Sequence, residues 1–88
     1  MQFRYALYNE EKKGMHMDIR KRLARNVIRL RKERGISQET FAARCRISTR
    51  YLSTIETGRA NPSIDVLERI SRAFDISLEE LVHFPDSP

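Results

Sequence analysis

Residues 49–57 carry the polar side chains whose types and spacing point most clearly to a chemistry of recognition. Read as a helix, this segment places hydroxyl and guanidinium groups from five residues on one outer face: Thr49, Arg50, Ser53, Thr54 and Thr57. Arginine can bond to guanine through two hydrogen bonds, and threonine offers a hydroxyl together with a methyl that can contact thymine. The face therefore suits the reading of base edges, although many small helical bundles have a polar face and the pattern alone is weak.

The basic residues are concentrated in the part of the chain that includes this face. The 88 residues contain 17 lysines and arginines and 12 acidic residues, for a net charge of +5. Residues 18–62 hold twelve of the basic and four of the acidic residues, whereas residues 63–88 hold two basic and six acidic ones. A basic half favours a polyanionic partner. A plain interaction bundle with a solvated basic face is another interpretation, and the overlap of the basic segment with the recognition face argues against it.

Length and composition exclude several classes of protein. A chain of 88 residues forms one small domain, too short for the deep cleft of most enzymes. No apolar run approaches the ~20 residues of a membrane span, and the N-terminus lacks the pattern of a secretory signal, so we expect a cytoplasmic protein. The single cysteine, Cys45, is expected in the core. His16 and His83 lie far apart without a ligand cluster, so we expect no metal site. The sequence has no glycine-rich phosphate loop and no Ser-His-Asp grouping, so we expect no cofactor and no catalytic site.

Caps and apolar spacing predict five short helices after residue 17. Four residues are suitable N-caps for the first, second, third and fifth helices: Asp18, Ser37, Ser48 and Ser77. The fourth helix opens after the Asn-Pro-Ser stretch at residues 61–63, and glycines close the first and third helices. In the first helix four apolar residues are expected to face the core: Ile19, Leu23, Val27 and Leu30. This pattern indicates an all-α domain over residues 18–84.

The two ends of the chain differ from this domain. Residues 1–17 form an N-terminal arm in which Phe3, Tyr5 and Leu7 alternate with other residues, a period of two that is typical of a short strand. An isolated strand of that length needs a partner edge, such as a second chain. Disorder of the arm is the alternative. Residues 85–88 form a short C-terminal tail.

The link between the second and third helices is only three residues long, from Arg46 to Ser48. A link that short forces the helix axes to cross steeply, which is the helix-turn-helix arrangement. The third helix then projects its outer face away from the body of the domain.

Three segments in this region share a pattern with a known family. They are GISQETFA at residues 35–42, STRYLSTI at residues 48–55 and ETGRANPS at residues 56–63. In order and spacing they resemble the Cro/CI-type helix-turn-helix family of bacterial and phage regulators, also called the lambda repressor-like or XRE family. The resemblance covers about residues 19–82. It implies a compact five-helix domain that binds specific double-stranded DNA sequences and regulates transcription, with a recognition helix at about residues 49–57 in the major groove.

The resemblance also implies roles for single residues. Three match the family's base-reading positions: Thr49, Arg50 and Thr54. Five are expected to contact or flank the DNA backbone: Gln38, Tyr51, Ser53, Arg59 and Asn61. Arg31 and Glu56 match an ion pair that is common in the family and would tie the first helix to the third.

Two positions depart from the family pattern. Arg46 stands where many members have glycine in the turn, and a positive φ there would cost an arginine about 1 kcal/mol. We therefore expect either a reshaped turn or an Arg46 that contacts phosphate. Ile64 stands where some relatives carry an arginine for the minor groove, so minor-groove reading from that position is unsupported.

One small domain buries too little surface for tight specific binding, so we expect a homodimer on a partly palindromic operator. The last two helices are expected to form the dimer surface, with Val82 and Phe84 buried across it. The alternative function is that of an antitoxin or adaptor of the same fold, whose main role is to bind a protein partner such as a toxin. The small size resembles the controller proteins of restriction–modification systems and compact phage or plasmid repressors.

Overall fold

Side-chain caps start all five helices in residues 18–83, the part of the chain that this computed structural model describes. The backbone N–H groups of Thr40, Tyr51 and Val66 donate to the hydroxyls of Ser37, Ser48 and Ser63 at 3.1, 2.9 and 3.2 Å. At the first helix the Arg20 N–H donates to the Asp18 carboxylate, and at the last helix the Glu80 N–H donates to the Ser77 hydroxyl. Each cap satisfies one of the N–H groups that have no partner within the helix, so the predicted N-caps are confirmed.

The helices are α1 (Ile19–Glu33), α2 (Gln38–Cys45), α3 (Thr49–Glu56), α4 (Ile64–Phe74) and α5 (Leu78–Val82). Residues 18–83 contain no strand, so the predicted all-α class is confirmed. None of the helices in residues 18–83 combines the length and the apolar character that a membrane-spanning segment needs. The expectations for the N-terminal arm, for Phe84 and for the C-terminal tail fall outside the described residues.

The core lies where α2, α3 and α4 pack against α1 and α5. The rings of Phe41 and Phe74 stack at its centre, with centroids 4.2 Å apart. The eight largest fully buried side chains among residues 18–83 are Phe41, Phe74, Leu52, Ile55, Ile70, Leu81, Val27 and Cys45. Because each helix contributes to this cluster, the orientation of α3 depends on packing by the whole domain.

The expected core stripe of α1 is correct in its middle and wrong at its start. Leu23 and Val27 are buried, and Leu30 packs against the core, but Ile19 is 56% exposed. Ile19 is the first residue of α1. The apolar pattern of the sequence therefore extends one turn further toward the N-terminus than the packed core does.

Two polar residues connect α1 to the C-terminal half of the domain through contacts that the sequence patterns did not predict. The buried amide of Asn26 donates to the carbonyls of Leu81 at 2.7 Å and His83 at 3.1 Å. The guanidinium of Arg34 lies over the ring of Phe74, 5.2 Å from its centroid, and donates to the carbonyl of the same residue. These contacts fix α5 and the end of α4 against α1.

Candidate nucleic-acid interface

The turn between α2 and α3 keeps a left-handed residue although that residue is arginine. Arg46 has φ 60° and ψ 41°. Its N–H donates to the carbonyl of Ala43 at 3.1 Å, and the N–H of Ile47 donates to that of Ala42 at 3.0 Å. These bonds close the C-terminus of α2 in the manner common for helices that end on glycine. The expectation of a reshaped turn is therefore wrong, and the side chain of Arg46 is exposed.

Arg69 of α4 supports this turn, and sequence reasoning missed it. Its Nη1 donates to the carbonyl of Arg46 at 3.0 Å and lies 3.4 Å from that of Cys45. A single arginine on a predicted helix carries no periodic signal. Its role becomes visible only when α4 is placed beside the turn.

The first turn of α3 presents the most accessible of the candidate base-reading groups. Thr49 and Arg50 are both exposed. Among residues 18–83, no hydrogen bond or ion pair engages the guanidinium of Arg50 or the hydroxyl of Thr49. These two side chains are therefore available to a ligand that approaches the N-terminal end of α3.

The other candidate groups on α3 are partly occupied within the domain. The hydroxyl of Thr54 donates to the carbonyl of Tyr51 at 2.6 Å, and that of Thr57 donates to the carbonyl of Thr54 at 3.2 Å. Each hydroxyl can still accept a hydrogen bond, and each side chain still carries its methyl. Ser53 and Thr54 are half-buried, and Tyr51 packs against the core. These residues lie closer to the body of the domain than Thr49 and Arg50 do.

A buried ion pair holds α3 against α1. Arg31 donates from Nε to one oxygen of Glu56 at 2.7 Å and from Nη2 to the other at 2.9 Å. The side chains are only 13% and 6% exposed, so water screens the pair weakly. The hydrogen bond to Glu56 raises the pKa of the Arg31 guanidinium, so Arg31 keeps its positive charge at neutral pH.

The same pair also reaches the start of α2. Arg31 donates from Nη1 to the carbonyl of Ile36 at 2.9 Å, and the Gln38 amide donates to Glu56 at 2.9 Å. One of the two N–H groups of the Gln38 amide is thus used inside the domain, and this amide makes no other hydrogen bond among residues 18–83. The sequence pattern placed Gln38 at the DNA backbone but did not predict its contact with Glu56.

The loop after α3 brings further polar residues to the surface. Arg59 and Asn61 are exposed there. Gly58 begins the loop with φ 77°, and a Cβ at this position would lie 3.2 Å from the Cγ of Lys21. Only glycine fits this approach without strain. The first turn of α1 therefore lies directly beside the loop that carries Arg59.

The remaining candidate residues do not form a second site. Cys45 is fully buried, and this burial raises the pKa of its thiol to about 11, although the charge of Arg69 opposes the shift. The expected core role of Cys45 is confirmed. Among the described residues, no cluster of three or more His, Cys, Asp or Glu could hold a metal ion. Val82 is half-buried at the end of α5.

Comparison with known proteins identifies the same arrangement elsewhere. Residues 27–81 match the family model HTH_3, described as helix-turn-helix. An uncharacterized HTH-type transcriptional regulator, y4dJ of Sinorhizobium fredii, is 44% identical over 66 residues, which cover 75% of this chain and 86% of that protein. Control protein C.MunI of a Mycoplasma species is 43% identical over 65 residues, covering 73% of this chain and 88% of its own.

Solved structures agree with these sequence relatives. A hypothetical transcription factor, NHTF from Neisseria, superimposes with a TM-score of 0.73 at 31% identity, covering 77% of this chain and 78% of its own. The restriction-modification controller protein C.AhdI from Aeromonas hydrophila gives a TM-score of 0.68 at 29% identity, covering 70% of this chain and 94% of its own. The fold and the helix-turn-helix are thus shared with proteins that regulate transcription.

Proposed function

This chain belongs to the HTH_3 helix-turn-helix family of transcriptional regulators, and we propose that it binds a specific double-stranded DNA sequence as a homodimer. In this proposal α3 is the recognition helix and enters the major groove. The relatives are transcriptional regulators and control proteins rather than enzymes. The proposed place of action is the cytoplasm, with no cofactor required.

The observation that carries the proposal is the contrast between the two ends of α3. Its C-terminal end is fixed to α1 by the buried Arg31–Glu56 pair. Its N-terminal end presents Arg50 and Thr49, both exposed and unengaged by residues 18–83. The N-terminal residues of a recognition helix are those that contact base edges. A rigid helix with free donors at that end is suited to reading bases.

Base reading is assigned to Thr49, Arg50 and Thr54. Arg50 would pair with guanine through two hydrogen bonds, and the threonines would contact bases through methyl or hydroxyl groups. Thr54 stands deeper than the other two, and its hydroxyl proton is already donated to Tyr51. Its part is therefore that of an acceptor or a methyl contact.

Contacts with the DNA backbone are assigned to residues around α3. Arg46 precedes it, while Arg59 and Asn61 follow it, and all three are exposed. Gln38 offers its second amide N–H at the start of α2, where the helix dipole also favours a phosphate. Tyr51 and Ser53, both half-buried, would touch or flank the backbone at the edge of the interface.

Two copies of the domain are proposed to bind one operator. Val82 and Phe84 are the residues assigned to the dimer surface, and the acidic C-terminal half reduces repulsion between two basic domains. In a two-fold dimer the half-site centres would lie about 34 Å apart, one turn of B-DNA.

The direct test is selection of bound fragments from a genomic library by the purified protein. The best site is then titrated against random DNA at two salt concentrations. A two-fold symmetric motif that binds well above random DNA would support the proposal. Weak binding without an enriched motif would contradict it and favour the antitoxin or adaptor function, in which a co-purifying protein such as a toxin is the partner.

A further inference from the structure

The residue that sets the direction of α3 is held in a costly conformation. Arg46 lies in the left-handed region at φ 60°, which glycine adopts readily and a residue with a Cβ does not. The chain leaves α2 at this residue and enters α3 three residues later. Any relaxation of Arg46 toward a more favourable φ would therefore swing α3 relative to the rest of the domain.

The guanidinium of Arg69 contacts the turn where such a relaxation would begin. It lies 3.0 Å from the carbonyl oxygen of Arg46 and 3.4 Å from that of Cys45. These carbonyls are at the C-terminal end of α2, where the helix itself provides no donors. The positive charge also faces the negative end of the helix dipole. Rotation of Arg46 out of its left-handed conformation would move its carbonyl away from this donor.

We propose that Arg69 is a positioning residue that holds the left-handed turn at Arg46 and so fixes the direction of the recognition helix. Its guanidinium is directed to protein carbonyls, so it acts on DNA binding through α3. In this chain it compensates for the lack of glycine in the turn. The inference about the turn stands on the geometry alone, and its consequence for DNA rests on the proposed function.

Amide hydrogen exchange tests the turn without DNA. Arg69→Met keeps the apolar stem and removes the donors. We expect exchange of the Arg46 and Ile47 amides, which close the turn, to become about tenfold faster, as the loss of one hydrogen bond from a charged donor predicts. Exchange in α1 should stay unchanged. Arg72→Met is the matched control, because Arg72 is exposed on the same helix and its side chain pairs only with Glu68 among residues 18–83.

Unchanged exchange at Arg46 and Ile47, or equal acceleration throughout the domain, would overturn the proposal. If Arg69→Met does not fold by circular dichroism, Arg69→Lys replaces it. The lysine keeps the positive charge and can still donate to one of the two carbonyls. The same two amides should therefore exchange faster than in the wild type, but by a smaller factor than for Arg69→Met. If Arg69→Met does not fold, an unchanged exchange rate of these two amides in Arg69→Lys would overturn the proposal.

DNA binding separates positioning from direct phosphate contact. We expect Arg69→Met to weaken binding to the selected site about tenfold and binding to random DNA by less than about twofold, with an unchanged salt dependence. Equal losses on both DNAs together with a flatter salt dependence would make Arg69 a phosphate contact and overturn the proposal. If the wild type enriches no motif, the proposed function fails, while hydrogen exchange still decides the role of Arg69.

A second-site change tests the link to the turn. In an Arg46→Gly background the left-handed conformation has no Cβ penalty. Arg69→Met should then weaken specific binding by less than about threefold, because the turn holds without its support. The same tenfold loss in both backgrounds would show that Arg69 does not act through the conformation of residue 46.

Discussion

The arginines of this chain have different roles that their residue type does not reveal. Arg31 is buried against Glu56, Arg69 bonds to the carbonyls of the turn, and Arg50 is exposed and unengaged among residues 18–83. A guanidinium already bonded inside the domain stabilises the fold, whereas a free one is available to a ligand. At the residue scale, the claim about recognition therefore depends on Arg50.

Replacing Arg50 should change which base is preferred. We expect Arg50→Ala to cost about 1–3 kcal/mol at the selected site and to relax the preference at one base pair in each half-site. Arg72→Ala, at an exposed arginine of α4 that lies outside the proposed interface, should leave both unchanged. Competition titrations with singly substituted sites provide the measurement. An equal loss on specific and random DNA would mean that Arg50 reads no base.

The buried thiol of Cys45 should make stability fall at high pH. Its pKa in the folded protein is about 11, whereas the pKa of a thiol in the unfolded chain is ~8.5. Above about pH 8.5 the unfolded chain loses the thiol proton while the folded protein keeps it. The unfolded state is therefore increasingly favoured as the pH rises. The effect should reach on the order of 2 kcal/mol by about pH 10. Urea unfolding of wild type and Cys45→Ala measures it, because the variant should lack this component; parallel pH profiles would contradict the burial of the thiol.

At the scale of elements, the sequence predicted the helices well and their mutual contacts poorly. N-caps act within four residues, so Ser37, Ser48 and Ser77 could be recognised locally. The contacts of Asn26 and Arg69 join residues more than twenty positions apart and have no periodic pattern. The resemblance to a family supplied the Arg31–Glu56 pair, but the participation of Gln38 required the structure.

Breaking the pair between α1 and α3 should destabilise the domain strongly. Glu56→Ala leaves the Arg31 guanidinium buried without its carboxylate, and we expect a loss of about 3–5 kcal/mol in the free energy of unfolding. Glu68→Ala removes the carboxylate of an exposed ion pair with Arg72 and should cost less than about 0.5 kcal/mol. Chemical denaturation of both variants gives the comparison. A similar loss in the free energy of unfolding for Glu56→Ala and Glu68→Ala would mean that burial of the Arg31–Glu56 pair does not increase its contribution to stability.

At the scale of the whole molecule, the uneven charge and the small size define how DNA would be bound. The basic residues are concentrated in residues 18–62, the region that contains the helix-turn-helix and the loop after it. Charge of this kind attracts any DNA, and salt weakens the attraction. In the proposed function, specificity would come from the few side chains on α3, and useful affinity would come from joining two domains on one site.

Phosphate contacts should affect all DNA sequences alike. We expect Arg59→Ala to weaken binding to selected and random DNA by a similar factor and to lower the salt slope by about one. Gln38→Ala should weaken both DNAs similarly, with an added loss of stability because Gln38 also bonds to Glu56. Titrations at several salt concentrations measure both effects. A loss confined to the selected site would assign base reading to the residue concerned.

The dimer surface is tested by a charge at the end of α5. Val82→Asp should convert a wild-type dimer to a monomer, because an aspartate buried between two copies would lose its hydration. Sedimentation equilibrium gives the mass, and circular dichroism checks that the variant is folded. A folded variant with the dimer mass would place the interface elsewhere.

The most direct measurement of the central claim is methylation protection of the selected site by dimethyl sulfate. This reagent methylates guanine N7, which faces the major groove, and adenine N3, which faces the minor groove. With α3 in the major groove, wild-type protein should protect guanine N7 in both half-sites, and Arg50→Ala should lose protection at one guanine in each. Adenine N3 within the half-sites should stay reactive. Protection of adenine N3 without protection of guanine N7 would contradict the account of α3 as the recognition helix.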